Sequence, residues 1–232
     1  MKKYSEYKDS EIKWLGYVPL NWNIKRAKDI SNITRGAILR PVDEPKYYDK
    51  NGEWFYLNIS DIKNVKMYLN NAKLRLSELG STKSARVKPN SLILTASATI
   101  GKPFINQVKV CVHDGFIPFM NNKIENRFLF YYLKNTNIYT AMGKSNTQKN
   151  IYLDEVKNIT ITYPDNNKQT QIANYLDAKT KVIDQKISLL QQKITHYKAY
   201  RKSLINETVT KGLDKTVKLK DSGIEWIGQI PE

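Results

Sequence analysis

Several short patterns in this chain contain residue types that could do chemistry, but none of them makes a convincing catalytic set. Gly143-Lys144-Ser145 matches the end of a phosphate-binding loop, but that loop needs a glycine five residues earlier, where the chain has Ile138. His113-Asp114 has no companion serine motif and no second histidine nearby. The triplets Glu11-Ile12-Lys13 and Glu44-Pro45-Lys46 could imitate part of a nuclease site, but such triplets are common in charged chains. The sequence therefore predicts no catalytic residue.

Metal and disulfide chemistry have equally little support in the sequence. Cys111 is the single cysteine, which rules out a disulfide within the chain. His113 and His196 are the two histidines, too few for a zinc ligand cluster. We therefore expect no metal and no cofactor bound by this chain.

Three polar, basic stretches contain the side chains that hold phosphates and read base edges. They are 34–40, 97–102 and 143–150, and in the second the small side chains would let the backbone approach a phosphate closely. Surface loops are polar in any protein, so each stretch alone is a weak signal. The candidate DNA-binding residues are Arg35, Arg40, Ser97, Thr99, Lys102, Lys144, Ser145, Asn146, Gln148, Lys149 and Asn150.

The net charge favours a polyanionic partner. The 38 Lys and Arg residues outnumber the 22 Asp and Glu residues, which leaves a formal charge of +16. Nucleic acid is the most common partner of such a chain, and the alternatives are non-specific binding or lysine-rich solubility. The polar start at 1–11 is unlike a signal peptide, and no stretch approaches about 18 apolar residues. We therefore expect a cytoplasmic protein with no membrane association.

These loops must be positioned by a larger frame, and the longest predicted element is a helix from about Asn167 to Gly212. The run contains no proline and no internal glycine, and Gly212 can end it. At about 1.5 Å per residue it spans roughly 65 Å. Its apolar residues recur at steps of three and four, which is the spacing of a coiled-coil seam. The predicted interface residues are Leu176, Ile183, Ile187, Leu190, Ile194, Tyr197 and Leu204, with Ala173 on the same seam.

The apolar seam of this helix needs a partner, because burying each Leu or Ile is worth roughly 1.5–3 kcal/mol. The helix could lie across its own domain, or it could form a coiled coil with a second helix of the same kind. The sequence contains no second such helix. A coiled-coil partner would therefore come from another chain.

The sequence predicts an α+β fold, in which one mixed α/β domain precedes the single long helix. Strands are predicted at 53–59, 91–96, 107–112 and 157–163, and a helix at 126–134. Alternation in two of the strands, for example Val108, Val110 and Val112, predicts one buried face for each. The predicted division is 1–165 for the domain, 166–212 for the long helix and 213–232 for the start of a second repeat.

The second repeat is indicated by a sequence motif that occurs twice in the chain. The stretch from Lys8 to Pro19 returns as Lys220 to Pro231, with seven of the twelve positions identical and two more exchanging one aliphatic residue for another. The chain thus predicts half of a two-repeat protein.

The repeated box Lys-Asp-Ser-x-Ile-x-Trp-x-Gly-x-x-Pro, with Asn21-Trp22 after its first copy, resembles the specificity subunits of type I restriction–modification enzymes. The stretch 168–177 after Pro164 resembles that family's entry into its conserved helix, and 204–213 is similar to the end of that helix. These segments cover both ends of the chain and the long helix. The region between them matches in general pattern, as expected where the family varies its DNA target.

This resemblance implies a DNA-recognition subunit that is not itself an enzyme. A full subunit carries two target recognition domains, each followed by a long helix, and the helices pack antiparallel as a spacer between two halves of a split DNA site. Modification (M) subunits bind S-adenosylmethionine and methylate adenine, and a restriction (R) subunit uses ATP and Mg. With one domain and one helix, this chain would act as a half-subunit that rebuilds the frame as a homodimer on double-stranded DNA.

Two alternatives come from other classes of protein. The first is a non-specific DNA-binding coiled-coil scaffold without methyltransferase partners, which would show no sequence preference. The second is a metal-dependent nuclease, which would cut DNA with magnesium alone. The repeated box argues against both.

Overall fold

The computed structural model describes residues 4–97, 100–142 and 150–232. They divide into two units, Met1–Leu176 and Asp177–Glu232. The strands are Tyr7–Asp9 (β1), Tyr17–Pro19 (β2), Asn23–Arg26 (β3), Asn32–Ile33 (β4), Trp54–Leu57 (β5), Tyr68–Leu69 (β6), Leu74–Leu76 (β7), Ala85–Val87 (β8), Ser91–Thr95 (β9), Pro103–Asn106 (β10), Val110–Val112 (β11), Phe116–Met120 (β12), Thr160–Tyr163 (β13), Leu219–Asp221 (β14) and Gln229–Pro231 (β15). The α-helices are Ala27–Ile30 (α1), Glu78–Thr82 (α2), Asn126–Leu133 (α3), Asn137–Ala141 (α4), Leu153–Lys157 (α5) and Asn166–Lys211 (α6), and the 3-10 helices are Pro45–Tyr47 and Ile59–Ile62.

A five-stranded sheet forms the centre of the first unit, in the order β4-β12-β9-β10-β6. Its neighbours are antiparallel except for β6, which runs parallel to β10. Strand β9 is buried along its whole length. Leu92 and Leu94 pack with Phe128 and other residues of α3 in one apolar cluster, while Ile93 belongs to a second cluster. The central strand therefore separates two cores.

A four-stranded sheet, in the order β7-β5-β11-β8, shares that second cluster. The prediction that β11 buries one face is wrong, because Val110, Cys111 and Val112 are all fully buried. Val110 and Val112 face the cluster shared with the five-stranded sheet, and Cys111 packs with Leu39 and other residues of a third cluster. Both faces are covered, and a strand covered on both faces reads as a continuous apolar run.

Strands β3 and β13 pair antiparallel, so the start of the domain lies beside the segment that leads into the long helix. The predicted strand at 157–163 is shorter in the structure, because Lys157 is the last residue of α5. The capping arrangement explains this difference. The Tyr152 backbone N–H donates to Glu155 Oε2 at 2.8 Å, which favours a helical turn ahead of the strand.

The long helix α6 runs for 46 residues, within one residue of the predicted bounds. Asp165 precedes it and accepts a hydrogen bond from the Lys168 N–H at 2.9 Å, as an N-cap residue does. Gly212 follows it with a φ of 73°, a left-handed conformation that suits glycine at a helix end. The predicted mixed α/β domain followed by a single long helix is thus confirmed. Among the described residues, no helix is long and apolar enough to cross a membrane.

Candidate nucleic-acid interface

The first predicted loop packs against the turn at His113–Gly115. Arg35 donates from Nε to the Asp114 carbonyl oxygen at 2.9 Å, and the Ala37 N–H donates to the Val112 carbonyl at 3.0 Å. A Cβ atom on Gly36 would lie 1.9 Å from the His113 carbonyl oxygen, so a side chain at Gly36 would prevent this approach. The glycine therefore allows the loop to lie directly on the turn.

Ser97 of the second loop and Asn150 of the third loop lie near the same turn. Ser97 and Asn150 form an isolated antiparallel bridge, and the next residue, Ile151, donates its N–H to the Ala96 carbonyl at 2.8 Å. Ala96 in turn donates to the Gly115 carbonyl at 2.8 Å. The structure thus brings Arg35, Ser97 and Asn150 to one turn, although they come from three separate parts of the chain.

The first loop is held rigidly along its backbone. Leu39 is fully buried, and the hydroxyl groups of Tyr47 and Tyr48 donate to the carbonyl oxygens of Arg40 and Val42 at 3.3 and 2.6 Å. The side chains of Arg35 and Arg40 are exposed. A fixed backbone with exposed cationic side chains loses little entropy on binding, which favours affinity for a polyanion.

His113 forms the centre of this arrangement, whereas the sequence had offered it only as a catalytic or metal-binding residue. Its Nδ1 accepts the Gly115 N–H at 2.9 Å. The ring packs edge-to-face against Phe116, with 4.9 Å between centroids. Its role in the structure is to shape the turn that the loops contact. Two glycines were the sequence feature that could have pointed to this turn: Gly115, two residues after His113, and Gly36, which packs on the His113 backbone.

Lys102 has partners inside the domain. Its Nζ donates to the carbonyl oxygens of Ile62 and Lys63 at 2.6 and 3.0 Å, at the end of a 3-10 helix. Burial, and secondarily the nearby Lys134, lower the pKa of Lys102. A phosphate contact from Lys102 would therefore have to compete with these bonds. Thr99, Lys144, Ser145, Asn146, Gln148 and Lys149 lie outside the described residues.

A second basic group was not predicted from the sequence. Lys28, Lys123 and Lys157 line a polar cavity of about 500 Å³ together with Asn32 and Asn121. Lys123 donates from Nζ to the Asp29 carbonyl oxygen at 2.9 Å. These lysines lie far apart in sequence, so no local pattern connects them.

The predicted seam of α6 is covered at its start and exposed further along. Ala173 is buried and Leu176 is half-buried. From Ile183 onward the apolar side chains are between 46% and 60% exposed, which is unusual for a row of large apolar residues. The exposed members are Ile183, Ile187, Leu190, Ile194, Tyr197 and Leu204.

No group of three or more His, Cys, Asp or Glu side chains that could hold a metal ion occurs within residues 4–97, 100–142 and 150–232. The described residues of the candidate site are cationic, amide and hydroxyl side chains, namely Arg35, Arg40, Asn150 and Ser97. Groups of this kind bind phosphates and base edges by hydrogen bonding and charge.

Comparison with known proteins agrees with this chemistry. A model of the type I restriction modification DNA specificity domain matches residues 19–196, and the chain belongs to this family. Members of the family are DNA-recognition components of restriction–modification systems.

One curated relative is the type I restriction enzyme MjaIX specificity subunit of Methanocaldococcus jannaschii, 24% identical over 191 residues, which are 78% of this chain and 42% of the relative. A chain from a structural study of complex assembly and conformational transition of the type I R-M system aligns with a TM-score of 0.60 and 19% identity, covering 81% of this chain and 44% of that one. The HsdS subunit from Thermoanaerobacter tengcongensis aligns with a TM-score of 0.57 and 19% identity, covering 76% and 40%. The structural likeness concerns the fold, and this chain spans less than half the length of these relatives.

Proposed function

We propose that this chain is a half-length DNA specificity subunit, which reads one half of a bipartite site and pairs with a second copy to read the other half. The observation that carries the proposal is the exposed apolar seam of α6. Within the part of the chain that the structure describes, α6 is the one helix of this length, and no second such helix covers its seam. A second copy supplies an identical one.

Antiparallel pairing of two α6 helices would cover the apolar seam and would also place two domains for a split DNA site. Six large side chains per copy would leave water, at roughly 1.5–3 kcal/mol for each fully buried side chain. Because these side chains are between 46% and 60% exposed in the single chain, pairing gains about half of that value, or roughly 9–18 kcal/mol for two copies, against a cost of about 4–15 kcal/mol for associating two bodies. An antiparallel pair has two-fold symmetry, so it attaches the two domains at opposite ends of the spacer. Two domains separated in this way suit a split DNA site.

The domain would recognise its half-site through the loops around the His113–Gly115 turn. Arg35 and Arg40 are suited to phosphate contacts or to bidentate contacts with guanine, and Asn150 is suited to adenine. The contacts predicted for 143–149 lie outside the described residues and stay a prediction. Each neutralised phosphate contributes about −0.9 to the slope of log K against log salt. Binding should therefore weaken steeply with salt.

The chemistry would belong to partner subunits. M subunits docked on the frame would bring S-adenosylmethionine and methylate adenine, and an R subunit would bring ATP and Mg. This chain would bind no cofactor. It would select the DNA sequence and position the M subunits on it. The family membership supports this division of labour.

Long-read sequencing of DNA from cells that express this chain with its M subunit tests the proposal. A split palindrome with methylated adenine in both halves is the expected motif. An asymmetric motif would contradict the homodimer, because a different second half would then be reading DNA. Associated subunits with no methylated motif would contradict sequence-specific recognition and favour a non-specific scaffold.

A further inference from the structure

The repeated sequence box folds into the same hairpin twice. In the N-terminal hairpin, residues 6–20, β1 pairs with β2 so that Asp9 lies opposite Tyr17. In the C-terminal hairpin, residues 218–232, β14 pairs with β15 so that Asp221 lies opposite Gln229.

The turns also correspond bond for bond. The Ser10 N–H donates to the Gly16 carbonyl at 2.9 Å, and the Ser222 N–H donates to the Gly228 carbonyl at 2.9 Å. Glu11 and Gly223 occupy the same position in the two turns, and both have positive φ angles, of 58° and 71°.

The two hairpins differ in sequence at positions whose side chains are exposed in the N-terminal hairpin. Three of the twelve positions change chemical character, and the residues there are Glu11, Lys13 and Tyr17, all exposed in the N-terminal hairpin. The buried positions keep their character, since Ser10 and Pro19 are unchanged and Val18 becomes Ile230. The C-terminal copy therefore retains the face with which the first copy packs on its domain.

The surface that receives the N-terminal hairpin is formed by Tyr132, Ile138 and Ile159, which we call the hairpin seat. Trp14 packs edge-to-face on Tyr132, with 6.1 Å between centroids. Ile12 and Trp14 line a cavity of about 550 Å³ together with Ile138 and Ile159.

The C-terminal hairpin leaves the equivalent side chains in solvent. Trp226, the counterpart of Trp14, is 77% exposed, and Ile224, the counterpart of Ile12, is 46% exposed. A tryptophan buries a large apolar area when it docks, so this face would gain from a matching surface.

We propose that the C-terminal hairpin docks on a second copy of this chain, in the hairpin seat that the partner's own N-terminal hairpin otherwise occupies. The proposal rests on the antiparallel pairing proposed above. In that pairing, the C-terminal end of one α6 lies beside the N-terminal end of the other, where the partner's domain begins.

The distances allow this exchange. Seven residues, 212–218, connect α6 to β14 and can span at most about 25 Å. On the receiving domain, the start of α3 is tied to the start of α6, because Gln169 Oε1 accepts the Glu125 N–H at 2.8 Å and Arg127 Nη1 donates to Asn174 Oδ1 at 2.8 Å.

Tyr132 lies five residues beyond Arg127 along α3, about 8 Å at the helical rise. The seat is therefore within reach of the linker from the partner. Once α6 has paired, docking is intramolecular within the dimer, which raises the effective concentration of the hairpin to about millimolar.

Photo-crosslinking in the full-length chain tests the exchange. Trp226 is replaced by benzoylphenylalanine, the protein is irradiated, and covalent dimers are digested with trypsin. The expected crosslink joins position 226 of one copy to the peptide Phe128–Lys134 or to the peptide that begins at Asn135 in the other. The matched control carries the same probe at Gln229, the counterpart of the exposed Tyr17, and should give at least tenfold less covalent dimer.

A second measurement follows the competition for the seat. The probe at position 14 should crosslink within its own chain to Phe128–Lys134, and Trp226→Ala should raise that yield about twofold, as expected when one of two similar competitors is removed. A dimer by light scattering with no crosslink from position 226 to the seat would overturn the exchange and leave the paired helices standing. A chain that is monomeric by light scattering would overturn the exchange and the proposed dimer together.

Discussion

Gln169, the fourth residue of α6, accepts a hydrogen bond from the backbone N–H of Glu125 at 2.8 Å, 44 residues earlier in the chain. Its Nε2 donates to the Pro164 carbonyl oxygen at 2.8 Å, and the side chain is 1% exposed. One amide group thus joins the entry to the long helix to the start of α3. This bond and the Arg127–Asn174 bond connect the first turns of α6 to the start of α3.

Replacing Gln169 by leucine should destabilise the domain by about 1–3 kcal/mol. The change leaves a buried donor and a buried acceptor without partners, which costs more than the net value of the bonds. Urea unfolding followed by circular dichroism measures the difference. Gln171→Leu is the matched control, because Gln171 is exposed on the same helix. Equal stability of the two variants would show that Gln169 does not hold the helix in place.

The double change Ile187→Asp and Leu190→Asp should convert the protein to a monomer with a folded domain. Both side chains are exposed in the single chain, so charge there disturbs the paired helices and leaves the domain core intact. Light scattering gives the mass and near-ultraviolet circular dichroism reports the domain. Ser188→Asp with Gln192→Asp adds the same charge on the opposite side of the helix and should leave the dimer in place. A dimer that survives the seam change would mean that the seam packs elsewhere.

Substitutions of Arg35 can distinguish a contact with a base from a contact with a phosphate. Arg35→Ala should lower affinity for the cognate site by about 1–3 kcal/mol if the guanidinium contacts a guanine edge. Arg35→Lys keeps the charge but loses the planar fork, so it should retain the salt slope and lose the discrimination. Fluorescence anisotropy with cognate and scrambled duplexes measures both quantities. Recovery of full discrimination by the lysine variant would assign Arg35 to a phosphate, and Lys50→Ala serves as a charge control on an exposed turn.

Cys111 should resist thiol reagents while the domain is folded. Burial raises the pKa of Cys111 to about 12, so at pH 8 only about one thiol in ten thousand is ionised, and the side chain is fully buried. Reaction with Ellman's reagent should appear only as urea unfolds the domain. Ser5→Cys provides an exposed thiol in the same protein that should react at once. Rapid reaction of native Cys111 would show that the β5-β11 region opens readily.

The long helix and its bounds could be predicted because the signals are local. A proline-free run with Asp165 before it and Gly212 after it specifies a helix by itself. The burial of β11 could not be predicted in the same way. Cys111 packs with Leu39, and that packing depends on a loop about 70 residues away in sequence.

In the candidate interface, too, local features could be predicted from the sequence and contacts between distant residues could not. Composition identified the loops, but their meeting at the His113–Gly115 turn depends on pairs such as Ser97 with Asn150, which no local pattern specifies. Lys102 was selected for its charge, and its bonds to Ile62 and Lys63 follow from the position of a 3-10 helix that the sequence did not predict.

The turn position shared by Glu11 and Gly223 gives the two hairpins different intrinsic stabilities. A non-glycine residue with φ near 58° carries backbone strain of roughly 1–3 kcal/mol, which the N-terminal hairpin can sustain because Trp14 and Val18 pack on the domain beneath it. The C-terminal hairpin, whose Trp226 is exposed, has glycine at position 223 and therefore avoids that strain. The C-terminal hairpin can therefore keep its shape while its tryptophan is exposed, and the docking proposed above would start from a preorganised hairpin.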